Sequence, residues 1–302
     1  MGVTFGPDRT TIWSVPPASA STAILFPGQG SQTSGMAAVT AAHRPDLLAQ
    51  ARDELGLDPF ERIADGTHCA QPALYCASLA HYKQAGSPGG EMIAGHSLGE
   101  LAALVAGGAL DAEEGLRLAV VRGRLMEDAA ALSPGGMMAV LGGEEEAVRA
   151  LAAGFGLTVA NDNAPGQVVL SGASDSLTEA RRRLRADGVK TIRLQVAGAF
   201  HSPLMASAAE KFRLALERVE FRRPSLPVFS STAAAPFEDP RAGLAAALTE
   251  PVIWQATLKR MHADGAQTFL ETGPGDVLTG LVRRTLGEVE ARSLAEPETV
   301  NA

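Results

Sequence analysis

Residues 93–101 are the segment of this sequence whose residue types and spacing most clearly indicate a catalytic site. They have the form G-x-S-x-G, with Gly95, Ser97 and Gly99 in the required places. In that form a serine sits on a sharp turn between a strand and a helix, and the glycines leave room for the tight backbone. Backbone N–H groups at the start of the helix then face any negative oxygen that forms beside the serine. The motif predicts an exposed, nucleophilic Ser97 at the carboxyl end of a sheet.

The serine hydroxyl is a poor nucleophile at neutral pH and needs a base within hydrogen-bond reach. His201 is the best candidate among the six histidines, because it lies in a Gly-flanked loop beside Phe200, whose ring would wall a pocket. An α/β-hydrolase would also place an acid between serine and histidine in chain order. Only acids such as Asp162 or Asp175 stand there, and neither follows a clear strand of the large domain. A backbone carbonyl is therefore the alternative partner for the imidazole.

Two other segments are candidates to lie beside Ser97 in the folded chain. The G-Q-G loop 28–30 ends the apolar run 22–26, which is typical of a buried strand that leads into a ligand-binding loop, although an ordinary turn would look the same. Arg122 lies beside an apolar valine pair in a predicted helix, which indicates an inward-facing guanidinium. A buried arginine needs an anionic partner.

The composition excludes several function classes. The 302 residues carry a net charge of -8, which argues against a nucleic-acid binder. Cys69 and Cys76 fit neither a zinc site nor a redox motif and read as small buried residues. No run of about 18 apolar residues is free of charges and breakers, so no membrane span is expected. Residues 1–21 lack the order of a signal peptide and are interpreted as a loose extension of a cytoplasmic protein.

The order of predicted elements indicates an α/β fold with two domains. Residues 22–134 and 198–290 form a large domain with a mainly parallel sheet, similar to α/β-hydrolases. Residues 135–197 read β-α-β-β-α-β, which predicts an inserted ferredoxin-like domain. Within it, strands 157–160 and 167–171 flank a predicted turn at 161–166, and the tail beyond Arg292 is expected to fray.

Five ordered motifs carry a resemblance that covers nearly the whole chain, from about Thr22 to about Leu286. Together they resemble the malonyl-CoA:acyl-carrier-protein transacylase family. The motifs are FPGQGSQ at 26–32, GHSLGE at 95–100, RG at 122–123 before Met126, AFHS at 199–202 and ETGPG at 271–275.

The resemblance implies a ping-pong transfer without a cofactor. Ser97 would attack the thioester of malonyl-CoA with His201 as general base, and the phosphopantetheine thiol of an acyl carrier protein would then take the malonyl group. The backbone N–H groups of Gln29 and Leu98 would form the oxyanion hole. Arg122 would hold the malonyl carboxylate through two parallel hydrogen bonds.

Other pocket residues follow from the same resemblance. Phe200 beside the histidine resembles the malonyl-selecting form, and Asn161 and Asn163 resemble polar residues that line the pocket. Ala247 departs from the family, which often has a glutamine at this place. The family's orienting main-chain carbonyl lies there, and alanine still provides one.

Carrier proteins are typically acidic, so docking is expected to use basic residues near the cleft. The resemblance favours Arg283 and Arg284 on the last helix. A second basic group, which includes Lys190, lies at 181–190 on the small domain. An ordinary solvated helix face is the alternative for both groups.

Other functions remain open at this point. The same fold and chemistry would suit a malonyl transferase subunit of malonate decarboxylase or a stand-alone acyltransferase for a polyketide synthase. An acyl hydrolase that acts on carrier proteins is a further alternative, disfavoured by Arg122. An interaction module with a degenerate site is disfavoured by the intact set of Ser97, His201 and Arg122.

Overall fold

The computed structural model describes residues 21–295. Its ten strands are β1 Ser21–Phe26, β2 Met92–Gly95, β3 Gly135–Leu141, β4 Thr158–Ala164, β5 Gln167–Ala173, β6 Lys190–Arg193, β7 Val228–Ser230, β8 Ala235–Pro236, β9 Ala266–Glu271 and β10 Glu290–Ser293. Its eleven α-helices are α1 Met36–His43, α2 Pro45–Leu55, α3 Thr67–Gln84, α4 Gly99–Ala106, α5 Ala112–Leu132, α6 Glu145–Gly154, α7 Ser174–Ala186, α8 Ala206–Leu216, α9 Pro240–Ala246, α10 Trp254–Ala263 and α11 Val277–Leu286. Short 3-10 turns lie at Ile63–Asp65 and Pro203–Met205.

The larger sheet has the strand order β10-β9-β1-β2-β7-β8 and is parallel except for the edge strand β8. Central strand β1 is buried on both faces, which is why its sequence is a continuous apolar run. Ile24 and Phe26 pack into one core with helices that include α3, α4 and α5. Ala23 and Leu25 face the opposite core, with α10 and α11.

The smaller sheet is antiparallel, with the order β4-β5-β3-β6 and its own core against α6 and α7. This is the ferredoxin-like arrangement that the sequence predicts, and the mainly parallel large sheet agrees with the predicted α/β fold class. The domain limits 22–134, 135–197 and 198–290 stay predictions.

One sequence prediction about an element is wrong. The predicted turn at 161–166 is mostly strand, because β4 runs on to Ala164 and pairs with β5. Beyond Arg292, where fraying is expected, Ser293 still belongs to β10 beside β9, and the residues after 295 lie outside the described part of the chain. Residues 36–54 form two helices, since Pro45 cannot continue the first helix and begins the second.

Within residues 21–295, no helix is long and apolar enough to cross a bilayer. Cys69 and Cys76 are buried free cysteines, as the sequence predicts. The predicted N-terminal extension lies, except for Ser21, outside the described residues.

Candidate active site

The turn between β2 and α4 holds Ser97 in a strained conformation. Its φ is 53°, in the left-handed region that residues other than glycine rarely adopt. A side chain at Gly95 would overlap the backbone of Gly99 and Glu100, so only glycine fits there. Non-glycine residues in this region are found mainly where the surrounding structure enforces them, as at active sites.

His201 contacts the serine directly. Ser97 Oγ lies 2.9 Å from His201 Nε2, although the residues are 104 positions apart. His201 is 4% exposed and also has a positive φ, 54°. Its Nδ1 lies 3.2 Å from the carbonyl oxygen of Glu250, so Nδ1–H donates there and Nε2 presents its lone pair to the serine.

The imidazole is therefore oriented by a backbone carbonyl rather than by an acid. Asp162 bonds Arg149 and Gln255 instead. The resemblance places the orienting carbonyl at Ala247. The hydrogen bond of Nδ1 is to Glu250, three residues later, and the Ala247 carbonyl also acts on the imidazole. Residues 247–250 form turns directly after α9, where helix carbonyls lose their intrahelical partners and can face the imidazole.

The environment keeps His201 uncharged. Burial, followed by the positive charge of Arg122 and by His96, lowers the pKa of His201 to about 3, and the carbonyls of Glu250 and Ala247 oppose this. A neutral imidazole is the form that accepts a proton from the serine.

The pH dependence of kcat/KM for acetyl-CoA tests this directly. The lowered pKa of His201 keeps the base active as pH falls through 6.5, and activity is lost only toward the folded-state pKa of about 3. We expect kcat/KM to stay nearly constant between about pH 7.5 and 5, because this parameter reports groups of the free enzyme. Fixed-time assays in buffers of constant ionic strength measure kcat/KM at each pH. An acid limb centred near 6.5 would show an ordinary, solvated histidine.

Arg122 reaches the same serine from α5. Its Nη2 donates to Ser97 Oγ at 3.1 Å, and the residue is 3% exposed. Burial lowers the pKa of Arg122 to about 10, while the Glu100 carboxylate opposes that shift, so the guanidinium stays charged at neutral pH. The inward orientation agrees with the sequence analysis. This buried cation can receive an anionic ligand at the nucleophile.

A cavity of about 80 Å³ surrounds Ser97. Of the predicted site residues, it brings together Gln29, Leu98, Arg122, Asn161, Phe200 and His201. Leu98 stands at the N-cap position of α4, where backbone N–H groups are available to a ligand.

Asn163 does not line this cavity but contacts His96, which does. Its Oδ1 is 2.8 Å from Nε2 of His96, whose ring packs edge-on against Trp254 with centroids 5.2 Å apart. His96 itself lines the Ser97 cavity, and the pair ties β4 of the small sheet to the serine turn.

Sequence reasoning missed Glu100 and Gln71. Glu100 is 1% exposed, and Gln71, 0% exposed, donates to Met126 Sδ at 3.2 Å and lies 3.5 Å from Gln29 Oε1. Each is a polar residue within an apolar helical pattern, which was the available signal.

The predicted docking residues are at the surface, but they do not form one cluster of free charges. Arg283 donates to the Ala291 carbonyl and Arg284 to the side chain of Gln167. Lys190 is exposed on β6. In the second basic group, Arg182 and Arg183 pair with acids on or just after their own helix.

Among residues 21–295, no three His, Cys, Asp or Glu side chains are grouped so that they could hold a metal ion.

Comparison with known proteins agrees with this geometry. A family model described as an acyl transferase domain matches residues 41–299. The malonyl CoA-acyl carrier protein transacylase of Haemophilus influenzae is 35% identical, over 93% of this chain and 97% of the relative. The acyl-carrier-protein S-malonyltransferase structure from Burkholderia pseudomallei is 35% identical with a TM-score of 0.84, covering 92% and 97%. A malonyl-transacylase in complex with a type II polyketide synthase acyl carrier protein is 34% identical with a TM-score of 0.82, covering 91% and 96%. The chain therefore belongs to the acyl transferase family and, within it, to the malonyl CoA-acyl carrier protein transacylases.

Proposed function

We propose that this protein transfers a malonyl group from malonyl-CoA to the phosphopantetheine thiol of an acyl carrier protein. One observation carries the proposal: the oxygen of Ser97 is contacted by the Nε2 of His201 and by a guanidinium nitrogen of Arg122. A nucleophile, its base and a binder for a carboxylate thus meet at one atom. A carboxylate-bearing acyl group is the substrate that uses all three.

The first half-reaction forms an ester on Ser97. The hydroxyl proton passes to Nε2 of His201 as Oγ attacks the thioester carbonyl. The tetrahedral intermediate collapses, the carbon–sulfur bond breaks, and His201 returns the proton to the CoA thiolate. In the second half-reaction the carrier thiol gives its proton to His201 and attacks the ester, and Ser97 leaves with that proton.

The backbone N–H groups of Gln29 and Leu98 stabilise the oxyanion in both halves. Support comes from their place in the wall of the Ser97 cavity and from the position of Leu98 at the start of α4. One such donor contributes roughly 2.7–4 kcal/mol to transition-state stabilisation in a comparable hole. The small cavity also limits the water that would hydrolyse the ester.

Specificity rests on Arg122 with Phe200 and Asn161 around it. An acyl group without a carboxylate leaves the buried guanidinium unpaired, which costs several kcal/mol. Phe200 narrows the pocket against branched acyl groups. We assign no metal or organic cofactor to the reaction and place the enzyme in the cytoplasm.

Carrier docking involves Arg283, Arg284 and Lys190. Their exposure supports this role, and Arg284 donates to the side chain of Gln167 at the start of β5. Basic side chains there would steer an acidic carrier.

The carrier itself distinguishes the remaining functions. Transfer assays with malonyl-Ser97 enzyme should use three acceptors: a fatty-acid carrier protein, a type II polyketide carrier protein and water. We expect a holo carrier to discharge the ester far faster than water does. Faster release to water, or preference for acetyl thioesters, would indicate an acyl hydrolase. Discharge only to the carrier subunit of a malonate decarboxylase would indicate that complex.

A further inference from the structure

Glu100 is a buried carboxylate that the reaction steps above do not use. It lies on α4, three residues after Ser97, and is 1% exposed. Its Oε1 accepts hydrogen bonds from the backbone N–H of Ser231 at 2.7 Å and from the Ser231 hydroxyl at 2.9 Å. A buried carboxylate is costly unless such bonds satisfy it. The contact therefore fixes the loop after β7 against the nucleophile turn.

Ser231 in turn contacts residues 250–253, the segment that faces His201. Its carbonyl accepts from the backbone N–H of Ile253 at 2.8 Å. Ile253 stands three residues after Glu250, whose carbonyl contacts His201 Nδ1. The Glu100 carboxylate is thus connected to the imidazole through the backbone of Ser231 and then through residues 250–253.

The small sheet holds the same segment from the other side. Val252 donates to the carbonyl of Ala160 at 2.9 Å and accepts from the N–H of Asp162 at 2.8 Å. Residues 250–253 are therefore held between the two domains. In the large domain, Glu250 N–H donates to the carbonyl of Ala246 at the end of α9, and Ser231 holds the other end of the segment at Ile253.

We propose that Glu100 is a positioning residue for the general base: its carboxylate oxygen fixes Ser231, which fixes residues 250–253 and so orients His201. The inference rests on the proposed function, because it takes His201 as the base. Glu100 and Arg122 are also both buried, and an ionised Glu100 attracts the guanidinium, although burial raises the pKa of Glu100 to about 7. Action through Arg122 is the competing route, and it would change malonyl selectivity rather than the base.

The test measures the rate constant for acylation of Ser97 by malonyl-CoA and by acetyl-CoA. Glu100→Ala is expected to lower both rate constants by about 10- to 100-fold with KM unchanged, since misplaced catalytic groups lose rate on this scale. The malonyl-to-acetyl ratio stays as in the wild type. Glu100→Gln keeps an acceptor oxygen at the same place and is expected to recover most of the rate.

Two further variants separate positioning from lost stability. Leu184→Ala truncates a buried side chain in the core of the small sheet and is expected to lower thermal stability without lowering the rate constants. Ser231→Ala removes only the hydroxyl donor and should lower both rates about threefold, which keeps the test usable if Glu100→Ala does not fold.

A Glu100→Ala rate within about twofold of the wild type would overturn the proposal. So would selective loss of malonyl acylation, or a Glu100→Gln variant as slow as Glu100→Ala. Wild-type acylation of Ser97, measured in the same series, tests the proposed function separately from the role of Glu100.

Discussion

Replacing Arg122 by alanine is expected to lower kcat/KM for malonyl-CoA by about 10²- to 10³-fold, as expected when one partner of a desolvated charge pair is removed. Acetyl-CoA has no carboxylate to lose, so its acylation of Ser97 should persist. The charge of Arg122 lowers the pKa of His201, so its removal makes the imidazole a stronger base, and acetyl acylation is expected to be at least as fast as in the wild type. Steady-state assays with both thioesters give the two values.

Two matched variants complete this experiment. Arg124→Ala removes an exposed arginine from the same helix, where it bonds the Glu54 carbonyl, and should leave both substrates unaffected. Arg122→Lys keeps the charge but cannot form two parallel hydrogen bonds to a carboxylate, so it should recover malonyl transfer only in part. Equal losses for malonyl and acetyl groups in Arg122→Ala would show a structural role instead.

Replacing His201 by alanine is expected to slow acylation of Ser97 by about 10²-fold or more with either thioester, as is usual for a positioned general base. The loss should appear in kcat, because the hydrogen bond to Ser97 Oγ matters for proton transfer rather than for binding the substrate. Rapid-quench measurement of the first acylation event isolates this step from discharge to the carrier.

His262 offers the control for this variant. Its Nδ1 also contacts a backbone carbonyl, that of Ala266 at 2.8 Å, but the residue does not line the Ser97 cavity. His262→Ala should therefore keep the acylation rate. A near-normal rate in His201→Ala would remove the histidine from the mechanism.

The fold was predictable where local sequence and tertiary packing agree. Residues 22–26 and 93–95 are apolar because both faces of their strands are buried, and that pattern is visible in the sequence. The first half of β4 was predicted as strand 157–160, but its second half was not, because Asn161, Asp162 and Asn163 are typical of turns. Pairing with β5 and a bridge to Val252 outweigh that local preference.

The site residues were predictable only where a side-chain motif marks them. The G-x-S-x-G form gives Ser97 by itself, and the Gly-flanked loop makes His201 the candidate base. The contact of Arg122 with the serine rested on a family resemblance, since a spacing of 25 residues carries no geometry. The Glu250 carbonyl left no trace in the sequence, because every residue has one. The contact of Glu100 with Ser231 joins residues 131 positions apart and was equally invisible.

Mass spectrometry of the protein after incubation with malonyl-CoA, without any carrier protein, tests the central claim most directly. The account predicts one malonyl group per chain, located on the peptide that contains Ser97, absent in Ser97→Ala and discharged when a holo carrier protein is added. Absence of the adduct in the wild type, or its persistence in Ser97→Ala, would contradict the account.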